Sequence, residues 1–297
     1  MRKQVQKGWM ILTVFSECSP PAMDYARMVD QLSDSIEPAE TTYMGEDGLL
    51  HCAVCHDRVQ TVVEFLGIQK TVNCICSCIR AKMDAEEERK RQEENNRNRR
   101  RCFAETNMSD WTFDKDDQQN PKLSKAMRNY ADKFPEFLKM GKGLVMFGTV
   151  GTGKTFFAAC IANALLDKGY KVYMTNFAEL TNRIQGMFEG RQEFIDSLNR
   201  NDLLVIDDLG AERNSASGYM QEMVFNIIDS RYRSGLPFIV TTNLTADQLK
   251  NPKDISYQRI YDRILERCHP VEVTGQSRRR KALINTHADV QAMLELD

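Results

Sequence analysis

Apolar positions follow two regimes along this chain. From residue 143 onward, uninterrupted apolar runs alternate with stretches in which apolar residues recur every three or four positions. The runs Leu144-Val-Met-Phe147, Lys171-Val-Tyr-Met-Thr175, Leu203-Leu-Val-Ile206 and Phe238-Ile-Val-Thr241 predict four strands buried on both faces. The periodic stretches predict helices over 156–168, closed by Gly169, and over 178–188, 192–200 and 219–233. Strands alternating with helices specify a parallel sheet between helices, an α/β fold. A helix carrying Leu123, Met127, Tyr130 and Phe134 leads into the first strand, and Trp111-Thr-Phe113 opens the domain.

The first hundred residues lack that rhythm. Residues 24–40 carry a helical period in Met28, Leu32 and Ile36, ended by Pro38. Val59, Val62, Val63, Phe65 and Ile68 alternate enough to predict a short hairpin. Residues 79–101 are highly charged, with opposite charges three and four apart, which predicts an exposed helix with little core of its own. Its closing arginines, Arg97, Arg99, Arg100 and Arg101, read either as a solvated face or as a nucleic-acid contact. The predicted organisation is an N-terminal helix and extension over 1–45, a small module over 46–80, a charged helical linker over 81–105 and the α/β domain over 106–297.

Composition adds only limits. With 42% apolar and 28% charged residues among 297, and a net charge of −2, the chain is an ordinary globular protein with no global bias toward nucleic acid. No apolar run reaches the ~18 residues of a membrane span. Arg2, Lys3 and Lys7 precede an apolar stretch over 9–15 that faintly resembles a secretory signal, but it is short and no small-x-small site follows. A cytoplasmic protein is expected, with residues 1–22 an extension and Met23 or Met28 as an alternative initiator.

Five of nine cysteines crowd into residues 52–78, which points to metal ligands rather than disulfides. Cys52-x-x-Cys55 is followed, after eighteen residues, by Cys74-x-Cys76-x-Cys78. Two thiolates on a tight turn aim at one tetrahedral ion, so a closed, structural four-thiolate zinc site is expected. Three cysteines compete for two positions; Cys74 and Cys76 are preferred, with Cys78 the alternative and His51 and His56 in reserve.

The strand ending at Phe147 runs straight into Gly148-Thr149-Val150-Gly151-Thr152-Gly153-Lys154-Thr155, with a helix next. Strand, glycine-rich loop and helix in that order make a phosphate-binding P-loop. Its glycines let backbone N–H groups and the helix N-terminus approach a polyphosphate. Lys154 adds charge for the β- and γ-phosphates, and Thr155 offers a hydroxyl to magnesium. About fifty residues on, the apolar run 203–206 ends in Asp207-Asp208, the Walker B arrangement. Asp207 is placed to hold magnesium and Asp208 to activate the attacking water. Asn243, ending the next strand, is a candidate to reach the γ-phosphate or that water.

The set Gly148 to Thr155, Asp202-Leu-Leu-Val-Ile-Asp-Asp-Leu-Gly210, Thr241-Thr-Asn243 and Tyr257-Gln-Arg-Ile-Tyr-Asp-Arg-Ile264 resembles the helicase-loader group of AAA+ ATPases typified by DnaC and DnaI, close to the IstB transposition ATPases. The resemblance covers residues 111–283, and the cysteine-rich module is similar to that of phage and Gram-positive loaders. It implies ATP-dependent self-assembly, docking on a hexameric replicative helicase and delivery of that helicase to single-stranded DNA. It also implies Asn243 as sensor 1, Arg263 as the arginine finger with Arg259 behind it, and Arg279 as sensor 2 with Arg278 adjacent. Val150 stands where many such loops have proline, and Asp208 where glutamate is commoner, so slow, partner-stimulated hydrolysis is expected. Arg183, Arg191 and Arg200 are candidate DNA-backbone contacts. Alternatives are an IstB-like regulator of transposition and a nucleotide-gated adaptor that does not hydrolyse ATP.

Overall fold

The computed structural model describes residues 41–65, 67–104, 107–210, 218–252 and 254–278, together with 291, 293 and 294. The helix expected over 24–40 lies outside them. The chain forms two compact units, Met1–Lys90 and Arg91–Asp297, which divide within the charged helix.

In the first unit, β1 (Thr42–Met44) pairs antiparallel with β2 (Leu50–Cys52), and β3 (Gln60–Phe65) pairs antiparallel with β4 (Ile68–Asn73). The second pair is the expected hairpin. The strand β1 falls in the stretch read as an extension, because its three residues are all exposed and show no apolar alternation. Among the described residues of this unit, the buried apolar ones are Cys52, Val59 and Cys76. So small a core cannot by itself offset the entropy of ordering the chain. Helix α1 (Ser77–Cys102) follows, with Cys102 its buried residue and Glu86 paired to Arg89 at 2.9 Å. Its last turn is not simply a solvated face: Arg99 donates to Asn163 Oδ1 at 2.6 Å and pairs with Asp167.

The second unit opens with α2 (Pro121–Asp132), capped by the Asn120 side chain and started by proline at its first position. Then come α3 (Phe134–Met140), β5 (Gly143–Phe147), α4 (Lys154–Asp167), β6 (Val172–Asn176), α5 (Phe177–Gln185) and α6 (Arg191–Leu198). The chain continues through β7 (Leu203–Leu209), α7 (Gly218–Ser234), β8 (Phe238–Thr242), α8 (Ala246–Lys250), α9 (Ile255–Arg267) and β9 (Cys268–Glu272). The five strands form one parallel sheet in the order β6-β7-β8-β5-β9.

Alternate residues explain the apolar runs. Leu144, Met146, Val172, Met174, Leu203, Val205 and Ile239 join one core with α2 and α4. Val145, Tyr173, Leu204, Ile206, Phe238 and Val240 join another with α5, α6, α7 and α9. Both faces are therefore dry, as the strand pattern requires. The edge strand β9 was not expected, since Cys-His-Pro-Val-Glu has no apolar run. Proline is tolerated there because an edge strand leaves one row of N–H groups outside the ladder.

Arg231, 1% exposed, ties the sheet together from α7. Its guanidinium donates to the carbonyls of Asn201 (2.9 Å), Asp202 (3.0 Å) and Pro237 (2.7 Å), which lead into β7 and β8. Methionine fills similar volume and donates nothing. Arg231→Met is expected to cost about 3 to 5 kcal/mol in denaturant unfolding, by orphaning buried carbonyls. A loss below about 1 kcal/mol would show that water replaces the guanidinium.

Candidate functional site

The sheet order decides which loops meet. Because β8 lies between β5 and β7, the loop after β5, the carboxylates of β7 and the residue after β8 converge at the C-terminal edge of the sheet. The P-loop leaves β5 through Gly148, whose φ of 144° and close approach to the Val273 carbonyl leave no room for a side chain. The loop ends at the N-terminus of α4, so an anion there meets free N–H groups and the positive end of a helix.

Lys154 is 6% exposed and folds its ammonium over the loop, donating to Gly148 O (2.9 Å), Thr149 O (2.8 Å) and Asn243 Oδ1 (2.8 Å). Asn243 donates in turn to Asp208 Oδ1 at 3.0 Å. Thr155 Oγ1 donates to both carboxylate oxygens of Asp207, at 2.9 and 3.1 Å. These residues are therefore brought together; Thr149 joins them through its carbonyl alone, and the Val150 side chain is exposed.

The strand β7 runs three residues beyond its expected end, through a register shift between Ile206 and Leu209. At that irregularity Asp208 adopts a left-handed backbone, φ 63°. Such bulges re-aim side chains, and here the second carboxylate turns toward Asn243. Thr241, which entered the sequence reading only as part of a pattern, secures the turn. Its hydroxyl donates to Asp207, and it accepts the Asp208 N–H at 3.0 Å.

Burial pushes the Asp207 carboxyl above its ordinary range, against the hydrogen bonds from Thr241 and Thr155; nearby Asp208 adds to the rise and Lys154 opposes it. A carboxyl raised in the folded state contributes stability below the unfolded pKa, and loses it as pH rises through the raised value. Asp207→Asn is therefore expected to melt higher than wild type at neutral pH without nucleotide. Its melting temperature should also fall less as pH increases. Identical pH profiles for the two proteins would contradict this.

Arg263 is not at this convergence as the chain stands. It pairs with Asp229 at 2.8 Å and lies over the Phe225 ring at 4.6 Å, both on α7. Arg259, one turn earlier on α9, is exposed. Arg279 lies outside the described residues. Arg278 is described, and its backbone N–H donates to Gly151 O at 2.9 Å.

In the first unit the thiols of Cys52, Cys55, Cys76 and Cys78 all lie within 4.8 Å of one another. The Cys52–Cys78 and Cys76–Cys78 sulfur distances are 3.5 and 3.3 Å. Four thiolates on a tetrahedral zinc at Zn–S ~2.3 Å stand about 3.8 Å apart, so the set fits that ion with little movement. Cys78 takes the place that the sequence reading preferred for Cys74. The Cys74 thiol points to the Arg58 carbonyl at 3.3 Å, and the helix starting at Ser77 turns Cys78 back toward the knuckle. His51 is engaged by Asp47 and the His56 carbonyl, and His56 lies beside the Tyr43 hydroxyl. The Asp57 and Cys78 N–H groups draw the Cys55 thiol down to about 6, while bonding to Cys76 and Cys52 pushes Cys78 up to about 12. A bound metal would displace the thiol protons of the set.

A family model described as IstB-like ATP binding protein matches residues 75–286, most of the chain. The chain belongs to the IstB-like ATP binding protein family. It is similar to the replicative helicase loader DnaI of Bacillus subtilis, 29% identical over 183 residues, which are 57% of this chain and 58% of that protein. It is also similar to the replicative helicase loader DnaC of Escherichia coli K12, 29% identical over 146 residues, or 48% of this chain and 56% of that protein. The chain thus spans little more than half the length of these relatives. A crystal structure of DnaI superposes with a TM-score of 0.46 at 26% identity, over 56% of this chain and 89% of that one. The family match includes the P-loop, Asp207, Asp208 and Asn243 together with Cys76 and Cys78.

Proposed function

We propose that this IstB-like protein is an ATP-dependent loader of a hexameric replicative helicase onto single-stranded DNA, acting in the cytoplasm. The observation that carries the reading is the junction at the sheet edge, where Lys154, Asn243 and Asp208 form one hydrogen-bonded chain across three strands. It gives nucleotide binding a route to the carboxylate placed for water activation. The similarity to proteins named replicative helicase loaders supports the choice of partner.

In this reading Gly148, Gly151, Gly153 and Lys154 seat the triphosphate, with Thr149, Val150 and Thr152 shaping the loop. Thr155 and Asp207 offer hard oxygen donors to magnesium, which when bound neutralises developing phosphate charge. Asn243 orients Asp208, and Asp208 accepts a proton from water. Arg263 serves a nucleotide held by a second copy of the chain, for which it must leave Asp229, and Arg279 acts as sensor 2. Cys52, Cys55, Cys76 and Cys78 hold structural zinc. No helix among the described residues is long and apolar enough to cross a membrane.

For DNA, Arg183 lines a cavity of about 240 Å³ with Arg101, Tyr173 and Phe194, so it is the best placed of the three candidate arginines. Arg191 instead caps Met187 O at 2.9 Å. Comparison of Lys154→Ala with Asp208→Asn tests the functional reading. Loss of helicase loading in both is expected. Loss only in Lys154→Ala indicates a nucleotide-gated adaptor, and a turnover well above about 1 to 10 per second contradicts a switch-like ATPase.

A further inference from the structure

Beside edge strand β6 the sheet domain carries a concavity remote from the P-loop. This is the cavity of about 240 Å³ that Arg183 lines. Tyr173, the second residue of β6, and Asn201, just before β7, place it toward the N-terminal ends of the strands. The P-loop, Asp207 and Asn243 converge at the opposite edge. Phe194 of α6 completes the wall, and the exposed Arg101 enters from the last turn of α1.

The polar groups here belong to the fold. Asn201 is 5% exposed, and Arg231 holds its carbonyl at 2.9 Å. The Asn201 amide donates to Leu198 O at 3.0 Å, which leaves its side-chain oxygen and second N–H for a ligand. Arg183 donates to the Tyr173 hydroxyl at 3.0 Å and lies 5.7 Å from the Phe194 ring centroid, so two aromatic side chains hold its guanidinium in place. Among the described residues no acidic side chain lines the cavity, and two guanidiniums do. The field inside is therefore positive.

The volume lies below the ~300 Å³ at which sites for drug-sized ligands begin, so it suits one planar ring system and excludes a duplex. Aromatic rings offer faces on which any base stacks. A buried amide with a donor and an acceptor to give matches the edge of an unpaired base. Guanidiniums attract the phosphate attached to it. A simple carboxylic acid would leave the rings and the amide unused, and a neutral aromatic would leave the arginines unused.

We propose that this cavity binds one nucleotide unit, an unpaired base with its phosphate, supplied either free or as one residue of a single strand. Tyr173 and Phe194 flank the base, Asn201 meets its edge, and Arg101 and Arg183 hold the phosphate. The site selects single strands over duplex, because a paired base presents neither a free edge nor an open face. In its strand-bound form the inference rests on the DNA-binding reading above, to which it adds Arg101, Tyr173, Phe194 and Asn201 as a base-holding set.

The test uses the full-length chain, with and without Lys154→Ala, which removes the P-loop's share of nucleotide binding. The probes are deoxynucleoside monophosphates, inorganic phosphate, a short single-stranded oligonucleotide and a strand of the same length without bases. Affinities are read by ligand-observed NMR for the small probes and by fluorescence anisotropy for the strands. Phe194→Leu keeps an apolar side chain and Arg101→Ala changes an exposed position, and melting curves check that both variants fold. Phe194→Leu is expected to weaken the monophosphates, the normal strand or both about fivefold, and to leave inorganic phosphate and the baseless strand unchanged. Arg101→Ala is expected to weaken the same ligands about threefold and to reduce the strand's salt slope by about 0.7. A response of the monophosphates alone identifies a free nucleotide as the ligand, and a response of the strand alone identifies the strand; either upholds the proposal. Monophosphates and strand both unaffected by Phe194→Leu would overturn it while leaving DNA binding elsewhere on the chain. Equal weakening of the baseless strand would overturn it as well, since the ring would then serve the fold. An acidic peptide that binds with these dependences while nucleotides do not would assign the cavity to a protein partner and overturn it. A wild-type chain that binds monophosphates but no strand would sink the DNA reading and keep the cavity.

Discussion

Lys154→Ala is expected to weaken ATP binding by at least about a hundredfold, or ~2.7 kcal/mol, in calorimetric titration. Charge-assisted hydrogen bonds contribute about 1.5 to 3 kcal/mol each, and an ammonium facing a triphosphate makes more than one. The structure adds a second consequence. The same ammonium holds Gly148, Thr149 and Asn243 in place, so its removal leaves acceptors unpaired and Asn243 free to turn. The variant should therefore melt below wild type by a few degrees even without nucleotide, corresponding to about 1 kcal/mol. Arginine at the same position should retain charge but fail to fit the three acceptors. Wild-type affinity in Lys154→Ala would mean that the loop does not seat the triphosphate.

Removal of metal from the cysteine cluster should have the largest structural effect in the molecule. Among its described residues the first unit buries Cys52, Val59 and Cys76 as an apolar core, and structural zinc supplies apparent free energies of about 10 to 16 kcal/mol in comparably small modules. Purified chain is expected to carry equimolar zinc. A strong chelator, or Cys52→Ser, should abolish hydrogen-exchange protection across 50–76 while ATP affinity of the P-loop domain is retained. Cys74→Ser should do neither, because that thiol faces the Arg58 carbonyl. Protection that survives chelation, or zinc lost equally from Cys74→Ser, would refute the assignment of the four ligands.

These two expectations differ in how far the sequence alone could reach them. The P-loop was legible because a doubly buried strand, a glycine spacing and a helix stand in direct succession. The sheet's inner strands were equally plain, since burial on both faces demands unbroken apolar runs. Edge strand β9 was hidden by His269 and Pro270, which break any apolar run; the proline is accepted because β9 lies at the edge. Asp208 was found by its neighbour Asp207. Its left-handed turn toward Asn243 depends on Thr241, thirty-three residues away, whose hydroxyl accepts its N–H. The choice among Cys74, Cys76 and Cys78 could not be made from equal spacing; it is decided by the start of α1 at Ser77. The periodicity that put Arg259 and Arg263 on one helical face gave no sign of Asp229 and Phe225, which claim Arg263 from α7. Asp116 and Arg278 pair across 162 residues and leave no local pattern at all.

In the proposed function, nucleotide on the P-loop controls engagement of a hexameric replicative helicase. Its most direct measurement is size-exclusion co-elution of the full-length chain with such a helicase from the same replication system, with ATP, with ADP and without nucleotide. A stable complex is expected with ATP, and Lys154→Ala should not form it. Absence of a complex in every nucleotide state, with both proteins folded and the chain binding ATP, would contradict it.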